Sequence, residues 1–450
     1  MATPTVFSGY GGWLPRHPDI YKNFINRLLK RALQRSHDSL EHEPAVAAFG
    51  EAIQGDPVMK SLFDQIFRQV HEQSKVKDFE CLLHELDCII VTAPKYEVVR
   101  DSNGEVIASE PVGVPMYLVF DLLSNTAAGY DLFRMKKFNR ALKTLLENWG
   151  KFLMQSGSNS TLNTTDEGWF GAAGITHLEE HLGEYSFERT YKCPDATADN
   201  RGFETWDAFF TRALNDGVRP IKPEPIVLPP GGPRTAAYPI PIYNACESTV
   251  LRIERNVKQH DQFWLKGQSY SLYDMFNRND EYAKLFEGGT VYQAFLGPTD
   301  FHRWHSPIKG TITDIVVVEG TYYAVLPDDG AEQDDPELAK GDPRGALIRS
   351  QPFLTIEATR VLFYIESEDI GTMCFIAVGM AEVSTCQVRV KKGQAVVPGM
   401  ELGMFHFGGS SHALVFPKGI YFEEEEAVKV GEHIWVNSTL GRAIRMPESE

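Results

Sequence analysis

Cysteine is scarce in this chain, six in 450 residues, and Cys81, Cys88, Cys193, Cys246, Cys374 and Cys386 never stand at a CxxC spacing. Neither a disulfide framework nor a zinc knuckle is indicated, and reduced thiols, most of them in a core, are expected. Basic charge is in deficit: 44 Lys and Arg against 61 Asp and Glu give a net charge of -17. That balance disfavours long-range attraction to nucleic acid or to an anionic bilayer. No apolar run approaches the roughly 20 residues a membrane helix requires. The opening "MATPTVFSGYGGWLPRHPD" lacks the basic-then-apolar plan of a secretion signal. A cytoplasmic protein without stable membrane insertion is therefore expected. A GxSxG elbow is missing as well, which disfavours an ordinary α/β hydrolase.

What is present divides the chain in two, as its length of 450 residues leads one to expect. "DIYKNFINRLLKRAL" sets Ile20, Phe24, Ile25, Leu28 and Leu29 on one helical face, and "AGYDLFRMKKFNRALKTLLENWGKFL" repeats apolar residues at spacings of three and four. "QSGSNSTLNTTDEG", residues 155–168, reads as a loop, and "FETWDAFFTRAL" as a further short helix. The prolines of residues 217–243 predict an extended connection at which the helices end. Beyond it, "TITDIVVVEGTYYAVL", "TRVLFYIESE", "TMCFIAVGMAEV" and "TCQVRVKKG" are short, β-branched and aromatic, and punctuated by glycine. The acidic, turn-rich residues 327–345 read as a mobile excursion or lid. The fold class is α+β, a helical N-terminal domain over residues 1–190 followed by a β-rich domain over residues 200–450.

Within the β-rich part, "LGMFHFGGSSHALVF", residues 402–416, alternates like a strand yet carries two glycines and two serines that add nothing to a core. In a strand Phe405 and Phe407 share one face opposite His406, which favours core packing for both. "TDFHRWHSPIKG" sets His302 and His305 three apart beside turn formers, and in a strand they face opposite sides. Each can be a hydrogen-bonded residue packed at a turn; a zinc site with His406 or His412 lacks a carboxylate or cysteine at ligand spacing, so no metal is expected. Glu247, in "YNACESTV", can equally lie on a solvated strand face. Together glutamate, histidine and serine also hold the parts of a nucleophilic triad.

Four strings in order, "FFTRALNDGVRPI", "WLKGQSYSL", "FHRWHSPIKGTI" and "GQAVVPGMELGMFHFGGSS", resemble the phosphatidylserine decarboxylase family over roughly residues 200–440. The helical N-terminal part resembles the extension of a soluble fungal branch that includes an L-tryptophan decarboxylase, and "ACES", "HRWH" and "FHFGGSS" match there too. The resemblance implies self-cleavage between Gly409 and Ser410, with Ser410 becoming a pyruvoyl group in place of pyridoxal phosphate. The serine hydroxyl must turn onto the preceding carbonyl, and Gly408 and Gly409 leave the backbone free to do so. By similarity His305 is the base that activates Ser410, Glu247 holds its tautomer where most of the family has aspartate, and His302 serves decarboxylation.

The implied function is a self-processing, pyruvoyl-dependent carboxy-lyase of a free aromatic L-amino acid, L-tryptophan to tryptamine first among them, with the two self-cleaved chains remaining associated. A phosphatidylserine decarboxylase is the same-class alternative. A non-catalytic binding module is the alternative of another class, and the joint presence of Ser410, His305, His302 and Gly409 argues against it.

Overall fold

The computed structural model describes residues 10–38, 41–222, 239–260, 271–335, 337–382, 386–422 and 428–445. Residues 264–270 of the "WLKGQSYSL" string and residues 223–238 of the proline-rich connection lie outside them. Helices dominate up to residue 210: α1 (Pro18–His37), α2 (Pro44–Gln54), α3 (Pro57–Gln69), α4 (Phe79–Ile90), α5 (Pro115–Ser124), α6 (Ala127–Leu132), α7 (Lys136–Leu153), α8 (Ala172–Glu179), α9 (Phe187–Thr190) and α10 (Trp206–Phe210). Local chemistry sets their ends. Proline occupies the first turn of α1, α2, α3 and α5, where a missing N–H costs nothing. The Asp56 and Asp78 carboxylates cap α3 and α4. A hairpin, β1 (Lys95–Arg100) and β2 (Val106–Val112), interrupts the helices; its alternation and "DSNG" turn were submerged in the surrounding helical periodicity.

The strands follow: β3 (Pro239–Tyr243), β4 (Ser248–Arg255), β5 (Thr290–Leu296), β6 (Arg303–His305), β7 (Gly310–Val318), β8 (Arg360–Ser367), β9 (Gly371–Met380), β10 (Cys386–Val388), β11 (Ala395–Val396), β12 (Glu401–Phe405), β13 (Gly409–Phe416), β14 (Ile420–Phe422), β15 (His433–Ile434) and β16 (Thr439–Arg445). Short helices also occur here, α11 (Leu272–Met275), α12 (Asp280–Leu285), α13 (Ala346–Arg349) and α14 (Gln351–Glu357). At four to seven residues they are too brief to show a helical period. The α+β class expected from the sequence is the class observed.

Eight strands form one antiparallel sheet in the order β11-β7-β8-β9-β13-β5-β4-β15, and β13 lies in its middle. Side chains alternate across that strand. Ala413 and Val415 enter a core shared with the helices, including Leu142, Trp149 and Phe353. Leu414 and Phe416 enter a second core, closed by β6 and β12 of one three-stranded sheet and by β3, β14 and β16 of another. The glycine- and serine-bearing string thus becomes an interior strand of the sheet, between β9 and β5.

Residues 327–345 are not a free lid. Asp328 pairs with Arg349 at 2.7 Å and accepts from Asn125 at 3.2 Å; Tyr10 donates to Asp335 at 2.6 Å, and the Gly345 N–H reaches Asp121 at 2.8 Å. The acidic composition that read as a mobile excursion instead supplies acceptors for donors distant in sequence.

Candidate active site

Ser410 is the first residue after the start of β13, opposite Leu296 of β5 and Gly379 of β9. It is fully buried, and its hydroxyl has no hydrogen-bond partner. The neighbouring serine behaves differently: Ser411 Oγ donates to the Ala294 carbonyl at 3.0 Å and accepts from Gln293 Nε2 at 3.1 Å. A buried hydroxyl without a partner gives up stability. Gly408 has φ 137°, a backbone state that a side chain would strain. The sheet therefore presents an unengaged serine hydroxyl two residues after a glycine-specific bend.

β12, which leads into β13, pairs with the histidine segment. His302 lies beside Phe405, at the end of β12 nearer Ser410, and His305 opposite Glu401 at the other end; no hydrogen bond joins Ser410 Oγ to either ring. The Phe405 N–H donates to the His302 carbonyl at 3.0 Å, and β12 pairs with β6 from Glu401 opposite His305 to Met404 opposite Arg303. His302 is fully buried, its ring stacked on Phe210 at 4.0 Å, and neither ring nitrogen has a partner. Burial pushes its pKa down to about 3 despite the opposing charge of Asp300. His305 lies beside Phe301, its Nδ1 is without a partner, and burial lowers its pKa to about 4. Both imidazoles are neutral near pH 7, and a neutral imidazole is the form that accepts a proton.

The Glu247–His305 hydrogen bond expected of a triad is not made. Glu247 is buried and takes Arg219 through both oxygens, Nε to Oε2 at 3.3 Å and Nη2 to Oε1 at 3.4 Å. The Arg219 guanidinium also lies over Trp435 at 3.8 Å. A buried carboxylate needs a partner at full charge, and arginine satisfies it more completely than one imidazole N–H. Glu247 still adjoins the histidine segment, because the His305 N–H donates to the Ala245 carbonyl at 2.9 Å.

The string "FFTRALNDGVRPI" contributes more than a sequence label. Arg212 Nη2 donates to the carbonyls of Thr299 at 2.6 Å and Asp300 at 3.1 Å, just before His302. Arg303 returns the contact, its Nε donating to the Thr211 carbonyl at 2.9 Å. Phe210 supplies the face under His302, and Arg219 the partner of Glu247. These roles were not readable from the sequence; two arginines seven apart after aromatic residues were the only signal.

Phe405 and Phe407 do not share a face. Phe405 packs on Trp304 in the second core, whereas Phe407 meets Trp149 and Trp206 in the first. Strand β12 ends at Phe405, so the alternation stops before Phe407. His406 and His412 are engaged elsewhere, with Asp207 at 2.9 Å and Ser248 at 3.0 Å. A cavity of about 640 Å³ nearby is lined by Asp300, His433, His181 and Trp435, without Ser410, His302, His305 or Glu247.

A family model described as phosphatidylserine decarboxylase matches residues 206–442, and a second of the same description matches residues 43–178. The chain belongs to the phosphatidylserine decarboxylase family. Among curated relatives, a protein named decarboxylase iboD from Amanita muscaria is 49% identical over 79% of this chain and 99% of its own length. An L-tryptophan decarboxylase from Psilocybe cubensis is 31% identical over 97% of this chain and 95% of its own. A phosphatidylserine decarboxylase proenzyme from Schizosaccharomyces pombe is 31% identical over 52% of this chain and 22% of its own. As a phosphatidylserine decarboxylase family member with decarboxylase relatives, the chain is a carboxy-lyase. Among the described residues no helix is long and apolar enough to cross a membrane.

Proposed function

We propose that this protein is a self-processing, pyruvoyl-dependent decarboxylase of a free amino acid, with L-tryptophan the first candidate, acting in the cytoplasm. The observation that carries the reading is the buried, unpartnered Ser410 hydroxyl behind Gly408 at φ 137°. In the uncut chain His305 takes the Ser410 proton, and the hydroxyl oxygen attacks the Gly409 carbonyl, moving the acyl group from nitrogen to oxygen. Elimination then releases residues 1–409 with a new carboxyl terminus, and hydrolysis of the remaining dehydroalanine yields ammonia and the pyruvoyl start of residues 410–450. That group supplies an electron-accepting carbonyl when carbon dioxide leaves the substrate. The position suits it, since Ser410 is fully buried and its Oγ makes no competing hydrogen bond. His302, held on Phe210, handles the proton of the decarboxylation half-reaction. The small chain stays bound because β13 keeps β9 and β5 on either side. The division into helical residues 1–190 and catalytic residues 200–450 belongs to the same proposal.

Glu247 enters as a positioning residue. It fixes Arg219 and thereby the Ala245 segment on which the His305 N–H rests. Glu247→Ala strands a buried guanidinium and is expected to cost about 3 to 5 kcal/mol of stability. Glu247→Gln, which keeps shape and hydrogen bonding, should recover much of it and slow cleavage only slightly. Chemical denaturation and a gel time course check this; unchanged stability in Glu247→Ala would remove the positioning role.

Tryptophan is favoured because relatives with a printed substrate and near full-length coverage are L-tryptophan decarboxylases. Burial of an indole in an apolar site contributes roughly 2 to 3 kcal/mol. The purified protein should convert L-tryptophan to tryptamine at least about tenfold faster than it turns over tyrosine, phenylalanine or glutamate, with negligible action on phosphatidylserine vesicles. Ethanolamine phospholipid as the main product would favour the second reading, a phosphatidylserine decarboxylase, which the family description itself supports. A non-aromatic amino acid as the best substrate would keep the pyruvoyl chemistry and overturn the indole assignment.

A further inference from the structure

Two histidines and two carboxylates converge on the N-terminal helices, in a part of the molecule that the decarboxylation chemistry does not use. Glu80, His84 and Asp87 stand four and three residues apart on α4 and so share a face. His42, two residues before α2, lies against them with its ring centroid 4.6 Å from that of His84. Glu80 Oε1 is 3.1 Å from His42 Nε2 and 3.4 Å from His84 Nε2. At the other end Asp87 Oδ2 is 2.7 Å from His42 Nδ1 and 3.6 Å from His84 Nδ1. The Asp87 carboxylate is fully buried, with Oδ1 accepting from the Glu43 N–H at 2.8 Å. His84 is only 6% exposed, and its Nδ1 has no hydrogen-bond partner.

Two proton placements are open to this arrangement. With the His42 Nδ1–H on Asp87 Oδ2 at 2.7 Å and the His84 Nε2–H toward Glu80, the N–H of each ring is satisfied without an ion, whereas the other placement suits one. A neutral imidazole carries one N–H. If both rings give theirs to Glu80, the two Nδ1 lone pairs face Asp87 Oδ2 at 2.7 and 3.6 Å with no proton between them, and one ligand atom from each of the three residues lies within 4.8 Å of the others. Such a set repels itself until a cation enters. Two imidazole nitrogens and a carboxylate oxygen are the ligand types of zinc, at bond lengths of about 2.0 to 2.2 Å that put neighbouring ligand atoms roughly 3.3 Å apart. The observed 2.7 and 3.6 Å bracket that separation. A carboxylate on the far ring nitrogens is the usual means of fixing metal-binding tautomers, and Glu80 occupies that place. Arg35 is the competing cation, its Nε 3.6 Å from Asp87 Oδ2 and without a hydrogen bond there, while its Nη2 donates to the Glu41 carbonyl at 3.1 Å.

We propose that His42, His84 and Asp87 bind a divalent transition-metal ion of the zinc class, with Glu80 orienting both rings and a water completing the coordination. The ion ties residues 41–43 to α4. The sequence concealed it, because α2 and α3 separate His42 from His84.

The test uses the full-length protein, stripped with a chelator and titrated with zinc against a chromophoric competitor, with metal content measured by mass spectrometry. One zinc per chain and a higher melting temperature with zinc are expected. His42→Ala, a half-buried loop position, should keep the native circular dichroism spectrum and lose at least about a hundredfold in affinity. Glu80→Gln should lose about 10- to 100-fold. Failure of the natively folded wild-type protein to retain zinc, or equal affinity in wild type and both variants, overturns the proposal. An imidazolium at His42 by NMR at neutral pH without zinc binding would do so as well, since the ring would then bridge two carboxylates as a hydrogen-bond donor.

Discussion

Ser410→Ala should yield a single full-length chain with decarboxylase activity reduced on the order of 10⁴-fold or more. The wild-type protein should instead show residues 1–409 and a chain from residue 410 blocked at its start. The size of the effect follows from there being no second hydroxyl to substitute. Ser411 points to the other face of β13 and is held by the Ala294 carbonyl and Gln293, so Ser411→Ala should remain cleaved. The Ser410→Ala protein should also be at least as stable as the uncut wild type, because it removes a buried hydroxyl that has no partner. Intact-mass measurement of the three proteins decides the matter. A single unmodified chain in fully active wild-type protein would sink the self-cleavage reading.

The contrast between the two serines is absent from the string "FGGSS" and appears only once β13 lies between β5 and β9. Much of the remainder was legible earlier. The stripe of α1 was readable because the helix is long enough for its period to repeat, and the strands β7, β8 and β9 through their β-branched and aromatic content between glycines. The hairpin β1–β2 and helices α11 to α14 were not, since short elements take their shape from neighbours. The site divides in the same way. Ser410, His302 and His305 could be named from motif resemblance, but their environment could not. The ring beneath His302 comes from Phe210, about ninety residues earlier, and the partner of Glu247 is Arg219 rather than His305. Charge pairing over such separations has no local period, and a buried acid takes the strongest donor that the fold brings to it.

The second large effect separates the two histidines. His305→Ala should leave the chain largely uncut and therefore inactive, whereas His302→Ala should be cut yet decarboxylate about 10² to 10⁴ times more slowly, the usual range for loss of a general acid or base. The structure motivates the split through different surroundings. His302 is clasped by Phe210 and by the Arg212-held Thr299–Asp300 backbone, while His305 is fixed through its own N–H on Ala245 and lies beside Phe301. Their acid–base character adds a check on His305. Burial holds its pKa down at about 4, so the neutral base is already fully available at pH 6. In cell-free synthesis the rate of cleavage should change little between pH 6 and 8.5, where an ordinary histidine would give a rise of several-fold across about pH 6.5. The same depression destabilises the folded chain in acid: an unfolded histidine protonates from about pH 6.5 downward while the buried one resists until about 4. His305→Phe, which no longer titrates, should therefore lose less stability than wild type between pH 6.5 and 4. Equal loss of cleavage in His302→Ala and His305→Ala would show that the roles are divided wrongly, and a cleavage rate rising steeply from pH 6 to 7 would show that His305 is not the buried neutral base.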